Sequence, residues 1–256
     1  MSTPFAIALV AGLISFCSAD AAFELDALEI WLPFAGPDGA AGNPAAATAL
    51  PCPRWTLQYH LPFGLHELRY NSLSMTLPQG KFRLNAGLAS TGFSLHRERS
   101  AWLGGRLALG PNLELGAAIA ILHLQQEKRT QGNRAQRLGL GLKIAPNLEL
   151  GLRHHSSGAF SPSRVYFILI LRPDAQNLLY AHLRHHPAKS PRLDLAAEHQ
   201  LHPRIRLGLG TRAMPRRFAL GTRIGTSKWR IAYAIKTHEH LGPSHTFALG
   251  NTCRSP

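Results

Sequence analysis

Along much of the chain, large apolar residues occupy every second position. Segments 137–144, 204–210, 217–224 and 228–236 all show this pattern. The positions between are filled by Arg, Lys, Gly or Ala. A spacing of two places successive side chains on opposite faces of an extended strand, whereas a helix needs a spacing of three to four. The pattern therefore predicts β-strands with one apolar face and one basic, glycine-rich face.

Two architectures fit such strands, a soluble sandwich and a closed membrane barrel. Three observations favour the barrel. Strands recur almost without interruption from residue 54, no amphipathic helix is evident beyond residue 50, and the polar face is rich in Gly and Ala. Small residues suit the crowded interior of a narrow barrel. We predict an all-β fold, a closed antiparallel transmembrane barrel of about 14 strands with a short N-terminal plug.

Short proline-containing turns separate several of the predicted strands. Segment 110–116 is repeated in similar form at 145–151, and more loosely at 202–208. Proline favours a tight turn because it fixes φ and cannot donate a ladder hydrogen bond. We expect these turns at the periplasmic rim. The predicted strands are 54–62, 65–76, 81–91, 100–110, 113–127, 135–145, 148–156, 163–172, 177–186, 191–202, 204–212, 216–225, 228–238 and 244–250.

The N-terminus has the pattern of an export signal. An apolar run from Phe5 to Phe16 is followed by small residues around Ala19 and Ala21. The run is too short to span a membrane as a helix. We divide the chain into a signal peptide (1–21), a plug segment (22–53), the barrel (54–251) and a C-terminal tail (252–256).

The charge balance is strongly basic, with 28 Lys and Arg against 14 Asp and Glu. Such a chain often binds nucleic acid or an anionic membrane surface. An exported protein leaves the cytoplasm, so we expect no nucleic-acid partner. The expected partners are outer-membrane lipid and lipopolysaccharide, and we expect no cofactor.

Residues 38–46 contain an Asn-Pro-Ala element, Asn43, Pro44 and Ala45, after a Gly/Ala-rich lead. Together with the closing segment 241–250, this resembles the PorV/PorQ-like outer-membrane proteins, which are similar to the FadL fatty-acid transporters. The resemblance implies a plug inside the barrel. It also implies either passage of a hydrophobic molecule or a docking role in type IX secretion, with a secretion-system protein as partner. Outer-membrane barrels commonly end on an aromatic residue, and the tail after Gly250 departs from that pattern.

The basic face of the strands is expected to line the lumen. One hypothesis is an anion-attracting interior. The other, which we favour, is a polar lumen neutralised by Glu114, Glu149, Asp194, Glu198 and acidic plug residues. The predicted lumen bases are Arg137, Lys143, Arg153, Arg204, Arg206, Arg212, Arg217, Arg223, Lys228, Arg230 and Lys236.

Basic and imidazole side chains also mark the predicted outer rim. The bases Arg97, Arg99, Lys128, Arg129 and Arg134 would face lipid phosphates. Ten histidines fall at this rim, and we interpret them as interfacial side chains: His60, His66, His96, His154, His155, His185, His186, His238, His240 and His245. A metal site at His238 and His240 is the alternative, because they share one strand face.

His154 and Ser156 faintly resemble the His-x-Ser element of lipid A deacylases. Both would face lipid, where such chemistry occurs. A nucleophilic serine needs a base that a carboxylate orients, and the first acid downstream is Asp174. We therefore expect no enzyme activity and keep a lipid A-modifying hydrolase as an alternative.

Cys52 lies just before the first predicted strand and Cys253 just after the last. These two strands are neighbours in a closed even-stranded barrel, and export permits a disulfide. We predict a Cys52–Cys253 bridge at the seam.

The sequence thus predicts an outer-membrane barrel of a Gram-negative cell. Its expected role is transport of a small hydrophobic or anionic molecule, or a secretion-associated function. A purely structural or docking barrel is a further alternative.

Overall fold

A computed structural model describes residues 52–127, 129–156, 163–186, 189–212, 217–237 and 241–252. The predicted signal peptide, the predicted plug segment with Asn43, Pro44 and Ala45, and most of the tail lie outside these residues. Among the described residues, no helix is long and apolar enough to cross a membrane.

Fourteen antiparallel strands form one closed barrel, in which each strand pairs with its neighbours in sequence and β1 pairs with β14. The predicted closed fold is confirmed. The strands are β1 (Arg54–Leu61), β2 (Tyr70–Gln79), β3 (Phe82–Gly92), β4 (His96–Ala108), β5 (Leu113–Gln126), β6 (Arg129–Ala145), β7 (Leu148–Ser156), β8 (Arg164–Leu171), β9 (Asn177–His186), β10 (Lys189–His202), β11 (Ile205–Arg212), β12 (Arg217–Gly225), β13 (Trp229–Lys236) and β14 (Ser244–Asn251).

The predicted start of the second strand at residue 65 is wrong. Two 3-10 turns, Pro62–Gly64 and His66–Leu68, connect β1 to β2 instead. Phe63 has φ 54° and Gly64 has φ 73°, both in the left-handed region. An extended strand cannot continue through these two residues. Leu65 and Glu67 therefore precede β2 and are not part of it.

The two faces of the wall differ as the alternation predicts. Side chains such as Leu88, Ile121 and Leu209 point outward and are about 60% exposed, at 59, 63 and 61%. Their neighbours in sequence point inward and are mostly small, with Leu122 as an apolar exception. The barrel therefore has an apolar outer surface and a mixed polar interior.

The two rims differ in the length of their connections. The terminal rim carries both ends of the barrel and the short turns 80–81, 146–147 and 203–204. The opposite rim carries the longer connections 62–69, 157–163 and 237–243. All three proline turns of the sequence repeat lie at the terminal rim, as expected for one common side.

Candidate functional site: the inner wall of the barrel

Charged and aromatic side chains form a row across neighbouring strands of the inner wall. Arg153 of β7 lies opposite Tyr166 of β8, and His182 of β9 lies opposite Asp194 of β10. Asp194 in turn lies opposite Arg212 of β11. These side chains meet because antiparallel register places paired residues on the same face. We call Arg153, Tyr166, His182, Asp194 and Arg212 the inner row.

Tyr166 is the stacking centre of the inner row and has no exposed surface. The guanidinium carbon of Arg153 lies 3.8 Å from the centre of the Tyr166 ring. The ring of His182 is parallel to that of Tyr166, with centroids 5.2 Å apart. A cation over an aromatic face is attracted by the ring quadrupole, and the attraction grows when water is excluded.

Acids of the inner wall bind arginines on the next strands. Arg212 donates Nε–H to Asp194 Oδ1 at 2.6 Å and Nη2–H to Oδ2 at 2.9 Å. Arg223 donates to Glu198 Oε2 at 2.7 Å. The side chain of Glu198 has no exposed surface. A planar guanidinium can bind both oxygens of a carboxylate. These ion pairs therefore hold β10, β11 and β12 in register and also neutralise the buried acids.

Two further acids lie near the terminal rim. Glu149 accepts a hydrogen bond from Arg172 at 2.8 Å, and Glu114 forms an ion pair with Arg106. Each of the four strand acids that the sequence placed in the lumen therefore contacts an arginine, and the predicted plug acids lie outside the described residues. This compensates part of the basic charge of the interior.

The predicted lumen bases do not all occupy equivalent positions. Arg153 and Arg212 are buried on the inner face, and Arg137, Arg206, Arg223 and Arg230 are partly buried there. Lys143 is exposed near the terminal rim. Arg204 is exposed in the turn between β10 and β11, so it does not lie on a strand face. The side chain of Arg217 lies outside the described part of the chain.

Sequence reasoning missed several members of the inner wall. Arg106, Arg164 and Arg184 are buried there, as are Tyr166 and His182. The alternation could have identified them, because each lies two positions from another inward-facing residue on its strand. On β8, apolar residues occupy both faces, so the inward positions could not be recognised.

The inner wall also carries an apolar patch on β2 to β6. Trp102 packs against two buried clusters, Tyr70 with Ala89, and Ala120 with Leu122 and Ala135. We call these six residues the inner apolar patch. Interiors of membrane barrels are usually polar. A second apolar cluster, Ile168, Ile170 and Leu178, lies nearer the terminal rim.

Trp102 can lie in the patch because Gly87, opposite it on β3, has no side chain. A Cβ atom at Gly87 would lie 2.1 Å from Trp102 Cζ2. The indole therefore lies flat against the backbone of β3 and leaves the space beyond it open. A larger residue at this position would push the ring toward the centre of the barrel.

Eight of the ten predicted rim histidines are among the described residues and lie near the rim opposite the termini, whereas His199 and His202 lie toward the terminal rim. His154, His185 and His245 face outward, and His60 and His155 face inward. His245 bonds to the Tyr233 hydroxyl at 2.8 Å, and Phe247 packs beside that tyrosine. Aromatic girdles of this kind mark membrane–water boundaries.

No metal site emerges from this rim. The described residues contain no group of three or more His, Cys, Asp or Glu that could hold a metal ion. His238 and His240 lie outside them.

The His-x-Ser element faces lipid as expected but is not assembled for catalysis. His154 hydrogen-bonds to Ser163, not to Ser156. Within the described chain no carboxylate hydrogen-bonds to His154. Ser156 lies instead beside Gln136, which is its partner in the register of β6 and β7.

The seam joins β1 to β14 with side-chain hydrogen bonds as well as ladder pairing. Trp55 donates its backbone N–H to Asn251 Oδ1 at 2.8 Å, and Asn251 Nδ2 donates to the Pro53 carbonyl at 2.9 Å. Cys52, next to this contact, is in a disulfide. The other cysteines, Cys17 and Cys253, lie outside the described residues, so the pairing with Cys253 stays a prediction.

The sequence matches no protein-family model, and no curated protein matches it. Solved structures do resemble the fold. The Pseudomonas putida toluene transporter TodX aligns with a TM-score of 0.58 at 12% identity, over 84% of this chain and 93% of that one. A Pseudomonas aeruginosa FadL homologue aligns at 0.56 and 9% identity, over 84% and 93%. The chain therefore shares the closed-barrel fold of these structures.

Another outer-membrane barrel, Omp33 of Acinetobacter baumannii, aligns with a TM-score of 0.54 at 10% identity, over 80% of this chain and 98% of that one. The predicted localisation in the outer membrane is therefore confirmed. Bacterial outer-membrane barrels have short periplasmic turns and longer outer loops, so we assign the terminal rim to the periplasmic side.

Proposed function

We propose that this barrel carries small hydrophobic molecules across the outer membrane. The inner apolar patch is the observation that carries the proposal. Trp102 is the partly exposed member of this patch, and an apolar molecule that displaces water from such surface gains about 25 cal/mol per Å². Binding pockets for small molecules are mostly apolar, with a few polar groups that orient the ligand.

The partly buried arginines of the inner wall, Arg206, Arg223 and Arg230, supply such polar groups. They lie on β11 to β13, whereas the inner apolar patch lies on β2 to β6. A molecule with an apolar body and an anionic end could contact both walls. The toluene transporter and the FadL homologue share the fold, which is consistent with a hydrophobic cargo. The related hypothesis of a secretion-associated role, implied by the PorV/PorQ resemblance, rests on residues 38–46.

Uptake by cells that lack other routes for the probe tests the proposal. The probes are toluene and a long-chain fatty acid, each radiolabelled. We expect expression of the barrel to raise the uptake rate of at least one probe. Gly87→Ala should lower that rate because it drives Trp102 into the interior.

Gly105→Ala is the matched control. Its Cβ would lie 2.6 Å from Phe82 Cζ, on the outer face of the same region. It also crowds an aromatic ring, but on the lipid side; Gly87→Ala is the tighter of the two, since its Cβ would also lie 2.7 Å from the Leu73 carbonyl oxygen. Equal uptake by cells with and without the barrel would contradict transport. If a protein of a secretion system also co-purified with the barrel, the docking alternative would replace it.

A further inference from the structure

Three basic or imidazole side chains form a cluster on the outer surface, near the rim opposite the termini. His123 of β5 lies directly opposite Arg99 of β4. Arg134 of β6 lies opposite Ile121, two residues from His123 on the same face. We call Arg99, His123 and Arg134 the outer basic cluster. Because strands are about 4.8 Å apart and each residue advances about 3.4 Å, the backbones of its two arginines are separated by about 12 Å.

No carboxylate balances this cluster. Arginines of the inner wall such as Arg106, Arg212 and Arg223 form ion pairs with acids. Within the described chain, no acid forms an ion pair with Arg99 or Arg134, and both side chains are exposed. Unbalanced guanidinium groups beside an apolar surface attract anions, and phosphate is the anion that guanidinium binds in bidentate fashion.

Apolar grooves run from the cluster toward the middle of the barrel. One groove of ≈ 530 Å³ has Arg99, His123 and Ser90 at its upper end and Leu73, Leu88 and Ile121 below. A second apolar groove of ≈ 530 Å³ lies next to it, nearer the middle of the barrel, and is lined by Leu73, Met75, Leu103 and Ile119. Arg134 borders a separate, more polar hollow on the other side of Ile121. The two apolar grooves offer room for more than one acyl chain.

We propose that the outer basic cluster binds the phosphorylated glycolipid of the outer leaflet, the lipid A part of lipopolysaccharide. Two arginines about 12 Å apart suit a headgroup with more than one phosphate. A phospholipid has one phosphate, so its headgroup would engage only one of the two arginines. The longer connections place this rim in the outer leaflet, where the glycolipid resides. The proposal is independent of what the lumen transports.

The test measures glycolipid retention by the folded barrel in detergent. Three probes are added at equal concentration: diphosphorylated lipid A, the same lipid without its phosphates, and phosphatidylglycerol. Bound lipid is counted by native mass spectrometry. The variant is Arg99→Gln with Arg134→Gln. Both side chains are exposed and without ion pairs, so folding should be unchanged, and the mobility of unboiled protein on a gel verifies this.

Lys81→Gln with Lys228→Gln is the matched control, since both lysines are exposed in turns at the terminal rim. It removes the same charge at the other end of the barrel. We expect the wild type and the control to retain diphosphorylated lipid A, and the arginine variant to bind it about tenfold more weakly. Equal retention of the dephosphorylated lipid would overturn the proposal. So would equal loss in the lysine variant, or tighter binding of phosphatidylglycerol than of lipid A.

Discussion

Arg212 and Asp194 form a bidentate ion pair on the inner wall, with both side chains buried. The two hydrogen bonds, of 2.6 and 2.9 Å, join β10 to β11. His182 approaches the same carboxylate, with Nδ1 3.6 Å from Oδ2. Removing one partner of a buried pair leaves the other charge without compensation, which costs more than the pair contributes when intact.

Asp194→Ala should therefore destabilise the barrel by about 3–5 kcal/mol. Urea unfolding in detergent, followed by tryptophan fluorescence, measures the change. Asp174→Ala is the control. Asp174 lies in the exposed turn between β8 and β9, where hydrogen bonds from the side chain of Asn177 and the backbone N–H of Gln176 lower its pKa. An equal loss in both variants would show that burial of the pair is not the cause.

Glu149 and Arg172 provide a contrasting pair near the terminal rim. Their contact is 2.8 Å long, but both side chains are about one quarter exposed, at 26 and 27%. Water screens such a pair, so Glu149→Ala should cost about 1 kcal/mol or less. The same unfolding experiment checks this value. A loss as large as that of Asp194→Ala would mean that the rim is drier than the structure indicates.

Tyr166 holds the inner row together through its ring faces. Tyr166→Leu should lose the contacts with Arg153 and His182 and destabilise the barrel by about 1–2 kcal/mol. Tyr166→Phe keeps the ring and should lose less. Phe167→Leu, at the next position but on the outer face, is the control. If Tyr166→Phe and Tyr166→Leu unfold at the same urea concentration, stacking is not what the tyrosine contributes.

The strand pattern could be predicted closely from sequence because alternation records which side chains face outward. The prediction of strand ends failed where a strand extends beyond the apolar outer surface of the barrel. β6 begins at Arg129, although alternation begins near residue 135. Residues 129–134 are polar on both faces and are held as a strand by pairing with β5. β4 begins early, at His96, for the same reason.

The inner row could be predicted only in part. Alternation places Arg153, Asp194 and Arg212 on one face, but it does not reveal which residues are opposite each other. That depends on the register between strands, which is set by turn geometry and bulges such as the one between Gln200 and His202. The inner apolar patch was missed because Leu122 and Ile121 are both apolar, so neither face of β5 stands out.

The seam offers a test of the predicted disulfide. Peptide mapping under non-reducing conditions should recover Cys52 linked to Cys253. Asn251→Ala should weaken the same seam by about 1–2 kcal/mol, since it removes two hydrogen bonds, and more so after reduction. A peptide in which Cys52 is linked to Cys17 would contradict the predicted pairing.

Spin labels on two adjacent residues of β11 test most directly whether the apolar face contacts lipid. Leu209 points outward, and Gly210 points inward and is only half-buried. Leu209→Cys and Gly210→Cys are labelled separately in the folded barrel in lipid bilayers, and relaxation by oxygen and by a water-soluble nickel chelate is compared. We expect the label at 209 to respond to oxygen, which concentrates in lipid, and the label at 210 to respond less. A label at 209 that responds mainly to the nickel chelate, with 210 shielded from both, would contradict the account.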